Sequence, residues 1–259
     1  MAESSNTLLR RQLLQTLESF HAAGVQQITH CDLTGADSLH ALSAGQAISD
    51  GPPGQSHAAT PAPDGAVGMA AAPPVALDVL AAEVAACRRC DELATTRTQT
   101  VFGVGNPQAR LCFLGEAPGA DEDRIGEPFV GSGGQLLDKI LAACHLRRED
   151  VYILNVLKCR PPNNRNPTPT EAQNCRHFLD RQLQSIQPEF ICCLGAVASQ
   201  NLLNTTRPIG ELRGRVHQVQ DIRVVCTYHP AYLLRTPAAK RRTWDDMKLL
   251  MREMGTPVT

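Results

Sequence analysis

Residues 190–196 read Phe190-Ile-Cys-Cys-Leu194-Gly195-Ala196: an unbroken apolar run, a glycine, then the start of a helical pattern. Five consecutive apolar residues leave no polar face, so the run predicts a strand buried on both sides. The same grammar recurs on either side. Downstream, Ile222–Thr227 (IRVVCT) reads as a strand ending in Tyr228-His-Pro-Ala231. Upstream, Val151–Leu157 (VYILNVL) and Arg110–Leu114 (RLCFL) read as strands, the latter opening into Gly115-Glu-Ala-Pro-Gly119. Val79–Cys87, Gly134–Cys144, Thr170–Ile186 and the residues from Ala196 have helical spacing. Strands alternating with helices predict an α/β fold, a parallel sheet with helices on both faces. In such folds sites gather beyond the carboxyl ends of the strands. The unusual residues fall there: GEAPG after the first strand, Asn155 in the second, His229 after the last.

Composition divides the chain. Of 259 residues, 42% are hydrophobic, enough for a core and incompatible with a wholly disordered chain. Residues 1–75 carry a net charge of −4 and residues 76–259 a net +3, with no Lys or Arg between Arg11 and Arg88. A polyanionic partner is therefore expected at the C-terminal part. Three segments follow. Residues 1–43 form an extension in which Leu9, Leu13, Leu17 and Phe20 make one apolar helical stripe over Thr7–Phe20, either packing on its own domain or docking a protein partner. Residues 44–75 read as an Ala/Pro/Gly-rich linker: ten Gly or Pro fall in residues 51–74, without Phe, Tyr, Trp, Lys or Arg. The extension is expected to be largely disordered and the folded domain to span 76–259. No apolar run is long enough for a membrane helix, and no secretory signal is seen, so a cytoplasmic monomer is expected.

Ten cysteines in a reducing compartment are better suited to metal ligation or burial than to disulfides. Cys87 and Cys90 are spaced to bite one metal from a single turn, and Cys159 and Cys175 can close a four-thiolate site. Spacing alone suits Zn²⁺ and a [4Fe–4S] cluster equally. Cys112, Cys144, Cys192, Cys193 and Cys226 lie in apolar runs and read as buried small hydrophobes; Cys31 is unassigned. Among the glycines of residues 115–134, Phe129 is a loop aromatic that can serve as a stacking platform or fill the core.

Three motifs, GEAPGADEDRIGEPFVG (115–131), NVLKCRPPNNRNPTPTE (155–171) and YHPAYLLR (228–235), stand in order with the four spaced cysteines. Together they resemble the family-4, iron–sulfur uracil-DNA glycosylases over about Val79 to Met251. The resemblance does not cover residues 1–75. It implies a three-layer α/β/α sandwich on a four-stranded parallel sheet. It implies hydrolysis of the bond between uracil and deoxyribose in single- or double-stranded DNA. It also implies a [4Fe–4S] cluster on Cys87, Cys90, Cys159 and Cys175, usually regarded as structural in that family.

The resemblance also distributes roles. Phe129 matches the residue stacking on a flipped base. Asn155 matches the pocket amide, its carbonyl accepting from uracil N3–H and its NH₂ donating to O4. Cytosine reverses both signs, a mismatch of about 10⁴-fold. Main-chain groups of Gly115, Glu116 and Ala117 would hold uracil oxygens. His229 would donate to O2 as charge develops there. Tyr232, Leu233 and Leu234 would approach the minor groove, and Arg235, Lys240, Arg241 and Arg242 the phosphates. Ala117 stands where the better-known uracil-DNA glycosylases carry a water-orienting Asp, so the water falls to Glu116, Glu122, Asn155 or main-chain groups. Glu116 is counted with His229 and Asn155 as a catalytic candidate. Two other functions fit parts of this pattern: a non-catalytic or uracil-trapping DNA-binding relative, and an iron–sulfur redox protein. Trapping relatives carry a basic insertion ending in a nucleophilic His, whereas the stretch after Asn155 has no His before His177.

Overall fold

The computed structural model describes residues 76–258. The helix expected within residues 7–20, the linker over 44–75 and Cys31 lie outside them. Among the described residues no helix is long and apolar enough to cross a membrane.

Strands β1 (Val104–Gly105), β2 (Leu111–Gly115), β3 (Tyr152–Asn155), β4 (Phe190–Leu194), β5 (Val216–Val219) and β6 (Ile222–Thr227) form one sheet, ordered β1-β3-β2-β4-β6-β5. The four expected strands, β3, β2, β4 and β6, run parallel at its centre. The expected sheet of four strands is corrected to six, because β1 and β5 add antiparallel edges. Neither edge strand is fully buried, so neither needs the continuous apolar run that marks a central strand. At β1 only glycine fits: a Cβ on Gly105 would lie 2.0 Å from the Val151 carbonyl oxygen, at a φ of +126°.

The helices are α1 (Leu77–Ala86), α2 (Asp91–Thr96), α3 (Ala120–Ile125), α4 (Ser132–Ala143), α5 (Pro169–Ile186), α6 (Ala196–Leu203), α7 (Ile209–Leu212), α8 (Pro230–Arg235) and α9 (Lys240–Glu253). Side chains alternate across the sheet. Cys112, Leu114, Leu154, Ile191 and Cys193 pack with Leu179 and Leu183 of α5 and Leu202 of α6. Leu111, Phe113, Ile153, Phe190 and Cys192 pack with Leu137 and Leu141 of α4 and Met247 and Leu250 of α9. The result is the expected α/β/α sandwich. The cysteines read as small hydrophobes are all buried. Burial pushes the thiol of Cys112 up to about 12 and that of Cys144 up to about 11.

Helix α5 begins one residue before the expected start, on a reciprocal cap: the Thr168 hydroxyl accepts the Glu171 N–H at 3.2 Å, and the Glu171 carboxylate accepts the Thr168 N–H at 2.8 Å. Strand β3 stops at Asn155, two residues short of the expected Leu157. The next two amides cross to the end of β2, Val156 to the Gly115 carbonyl and Leu157 to that of Glu116, both at 3.0 Å. These bonds lock together the strand ends that frame the site.

Candidate active site

A cleft of about 480 Å³ opens beyond the carboxyl ends of the parallel strands. The order β3-β2-β4-β6 reverses direction at β2, the first parallel strand in the sequence, where such folds leave a crevice. Glu116 and Ala117 after β2, Phe129, Asn155 at the end of β3, and His229 after β6 all line this cleft, as do Tyr232 and Arg235 of α8. Residues far apart in sequence, each singled out there, meet in one pocket.

Gly115 sets the spacing on one wall. A Cβ at this position would stand 2.2 Å from Asn155 Oδ1 and 2.6 Å from Phe129 Cζ. The glycine therefore lets the amide and the ring approach over bare backbone. Asn155 is 2% exposed, and its Oδ1 is buried with no hydrogen-bond partner. A buried acceptor without a donor costs stability, commonly about 1–3 kcal/mol, and of the unpartnered buried oxygens among the described residues this one borders the cleft, where a ligand can supply the donor.

Phe129 has a φ of +56°, rare for a residue with a side chain. Three contacts hold it there. Arg148, in the turn before β3, donates to the carbonyls of Phe129 at 2.9 Å and Pro128 at 2.7 Å. Gly134 of α4 packs beneath, leaving no room for a Cβ beside the Phe129 carbonyl. Glu122 spans the loop: one carboxylate oxygen accepts the N–H groups of Val130 and Gly131 at 2.9 Å, and the other that of Gly119 at 3.0 Å. Both Glu122 oxygens are thereby committed to the main chain, which makes it a loop clamp and a poor holder of water. Glu116 is the opposite case. Among the described residues no hydrogen bond holds its carboxyl, and burial raises its pKa.

His229 caps the N-terminus of α8. Its Nδ1 accepts the Ala231 N–H at 3.2 Å. The ring is 5.5 Å from that of Phe129, centroid to centroid. Burial, and then the nearby Arg235 guanidinium, push its pKa down to about 4, against a smaller opposing effect of Glu122. The imidazole is therefore neutral at physiological pH, with its proton on Nε2 because Nδ1 accepts. On α8, Tyr232 and Leu234 are exposed, at 39% and 44%. Leu233 is 1% exposed and packs inward, so the expectation that it approaches a minor groove is corrected: its side chain belongs to the core. Lys240, Arg241 and Arg242 are exposed on α9.

Three of the four spaced cysteines gather in one cluster, a second centre, and Cys87 packs against Leu80, Val84 and Phe178. Cys159 and Cys175 are buried together with Leu93 and Leu157, and Cys90 and Ala117 pack against them. Cys87 and Cys90 lie close enough to Cys159 to raise its pKa, an effect secondary to burial. None forms a disulfide. Cationic donors face the sulfurs: Arg97 donates to Cys159 Sγ at 2.9 Å, and the fully buried Lys158 feels the thiols of Cys175 and Cys159. Asn174 donates to Cys90 Sγ at 3.3 Å. Burial pulls the Lys158 amine down to about 7, and the sulfurs of Cys175 and Cys159 oppose that shift; ligating thiolates would carry the negative charge that favours a buried ammonium, which free thiols lack. The donor set therefore fits a thiolate-bound metal group. Among the described residues no three ligating groups are arranged around one metal ion.

Arg148, Arg97 and Lys158 were not singled out by sequence reasoning as parts of either centre. An arginine that holds a loop nineteen residues away in sequence leaves no local pattern. Lys158 alone carried a hint, as a lysine closing a strand-like run next to Cys159.

Residues 102–248 match the model of the uracil DNA glycosylase superfamily. The chain is similar to curated proteins named type-4 uracil-DNA glycosylase. It is 48% identical over 182 residues to that of Archaeoglobus fulgidus, covering 66% of this chain and 90% of the relative. It is 43% identical over 168 residues to that of Thermotoga maritima, covering 64% and 87%. With that of Saccharolobus solfataricus the figures are 38% over 193 residues, 71% and 89%.

Proposed function

The chain belongs to the type-4 branch of the uracil-DNA glycosylase superfamily, and from that premise we propose that it excises uracil from DNA by hydrolysing its N-glycosidic bond. The observation that carries this reading is the unpartnered Asn155 Oδ1, buried beside Phe129 in the cleft that His229 also lines.

A base held in this cleft must first leave the stack. Phe129 offers a flat apolar face, clamped by Arg148 and Glu122, on which a flipped pyrimidine stacks. Asn155 Oδ1 lacks a donor, and uracil N3–H supplies one; cytosine presents an acceptor there and leaves the buried oxygen unpaired. Bond cleavage drives negative charge onto the uracil ring. The Nε2–H of a neutral His229 is free to donate to O2 as that charge grows, while its Nδ1 stays on Ala231. With Glu122 committed to the loop and Asp121 paired with Arg124, Glu116 is the cleft carboxylate without a partner among the described residues and is available to orient water toward the sugar carbon.

Cys87, Cys90, Cys159 and Cys175 would hold a [4Fe–4S] cluster, which when bound fixes the loop before α2 to the loop after β3. Tyr232 and Leu234 are available to enter the space vacated by the base, and Arg235 with the basic start of α9 to contact phosphates. All these residues come from one chain, in keeping with a monomer acting on single- or double-stranded DNA inside the cell. The N-terminal extension is left as the candidate for a protein partner.

The test is incubation with uracil-containing oligonucleotides in chelator, then alkali. Breaks at uracil alone are expected; intact DNA would refute the reading.

A further inference from the structure

Lys158 lies between the two centres, and neither reading above gives it a task. Its side chain is 1% exposed, the extreme of burial for an ammonium. Nζ donates to the main-chain carbonyl of Asn155 at 2.7 Å. Its main chain runs straight into Cys159, which is buried in one cluster with Cys175 and with Leu157, the residue before Lys158. Its carbonyl accepts the Val101 N–H at 2.8 Å. Every residue from Asn155 to Cys159 is buried, so the segment has no slack to absorb a shift at either end.

We propose that Lys158 is a positioning residue that couples the cysteine centre to the base pocket: its main chain is held by the buried cluster of Cys159 and Cys175, and its Nζ fixes the Asn155 carbonyl. The orientation in which Asn155 presents its side chain to the base then depends on the sulfur centre, although neither cysteine lines the cleft. This inference rests on the reading of Asn155 as base reader and of the cysteines as cluster ligands. Lys158 performs no chemistry; it sets how well the amide meets the uracil edge.

A double-mutant cycle tests this. Lys158→Met keeps the length of the side chain and removes the charge and the donors, leaving the Asn155 carbonyl unpartnered. In protein of equal iron content, single-turnover excision should fall about tenfold or more. Affinity for uracil-containing DNA should be unchanged. In an Asn155→Ala background, Lys158→Met should have almost no further effect, because the group it positions is gone. Equal losses in both backgrounds would overturn the proposal while leaving Asn155 as reader. Full activity of Asn155→Ala alone would remove the reader, and the proposal with it.

A second measurement uses the unaltered holoprotein and does not depend on the variant folding. Coupling is reciprocal, so a ligand on Asn155 must be felt at the cluster. Free uracil, over the concentrations at which it inhibits excision, should change the visible circular dichroism of the cluster. An unchanged spectrum at full inhibition would overturn the proposal.

Discussion

The Nδ1 of His229 accepts the main-chain N–H of Ala231, and this bond decides which ring nitrogen carries the proton available to the cleft. The capping role and the proposed catalytic role use opposite edges of one ring, so a substitution can separate them.

His229→Ala removes the donor at the leaving base. Single-turnover excision should fall about 10²–10³-fold, the loss typical for one such donor. Binding to uracil-containing DNA should change little. His229→Gln should recover part of the rate, because its amide can still donate. Loss of binding with unchanged cleavage of bound substrate would make His229 a positioning residue.

The depressed pKa of His229 also predicts a pH dependence of stability. The unfolded chain takes up a proton at this residue below about 6.5, whereas the folded chain resists until about 4. Stability from this group is therefore intact above 6.5 and falls as pH drops toward 4, by at most about 1.4 kcal/mol per pH unit. Denaturant unfolding of the wild type and His229→Gln between pH 4 and 7 should show this slope in the difference. A difference independent of pH would contradict it.

Asn155→Ala should abolish most uracil excision. Asn155→Asp should impair it while raising relative activity on cytosine, because a donor becomes an acceptor or a protonatable group. Rates on matched uracil and cytosine oligonucleotides decide between these outcomes.

Gly115→Ala is predicted to damage the pocket more than the fold. The new methyl must displace the Asn155 amide or the Phe129 ring, since it would lie within 2.7 Å of both. Overpacking of this kind costs about 1–3 kcal/mol of stability. Excision should fall by about tenfold or more while the protein still unfolds cooperatively. Wild-type rates in Gly115→Ala would mean that Asn155 and Phe129 need not lie so close.

Protein purified without air should be coloured and contain about four iron atoms per chain, if the cysteines hold a [4Fe–4S] cluster. Cys87→Ala should reduce the yield of folded protein before it alters the chemistry of what folds. A colourless, zinc-loaded protein would assign the centre to a single ion.

The four central strands are legible in the residue pattern, and the residues that meet in the cleft stand out there as candidates. Phe190–Leu194 was readable to the residue because a strand buried on both faces must be apolar throughout, and Ile222–Thr227 because its β-branched run Val224-Val225 is buried while Arg223 sits at its half-buried start. A strand amide, a loop aromatic and a histidine after a strand drew notice to Asn155, Phe129 and His229; the family resemblance supplied their expected roles, and the fold brings them to one cleft. Tertiary structure decided the rest. Edge strands β1 and β5 bury too little to be written in hydrophobic pattern. Leu233 and Leu234 are identical in sequence terms, and only the docking of α8 turns one inward and the other outward. Glu116 and Glu122 are chemically equivalent carboxylates; three main-chain N–H groups brought round by the loop commit one and leave the other facing the cleft. The paths from Arg148 to Phe129, and from Lys158 to the Asn155 carbonyl, join residues by hydrogen bonds across folded space. Such bonds require a donor and an acceptor at the right distance, and a linear sequence records the groups but not the distance.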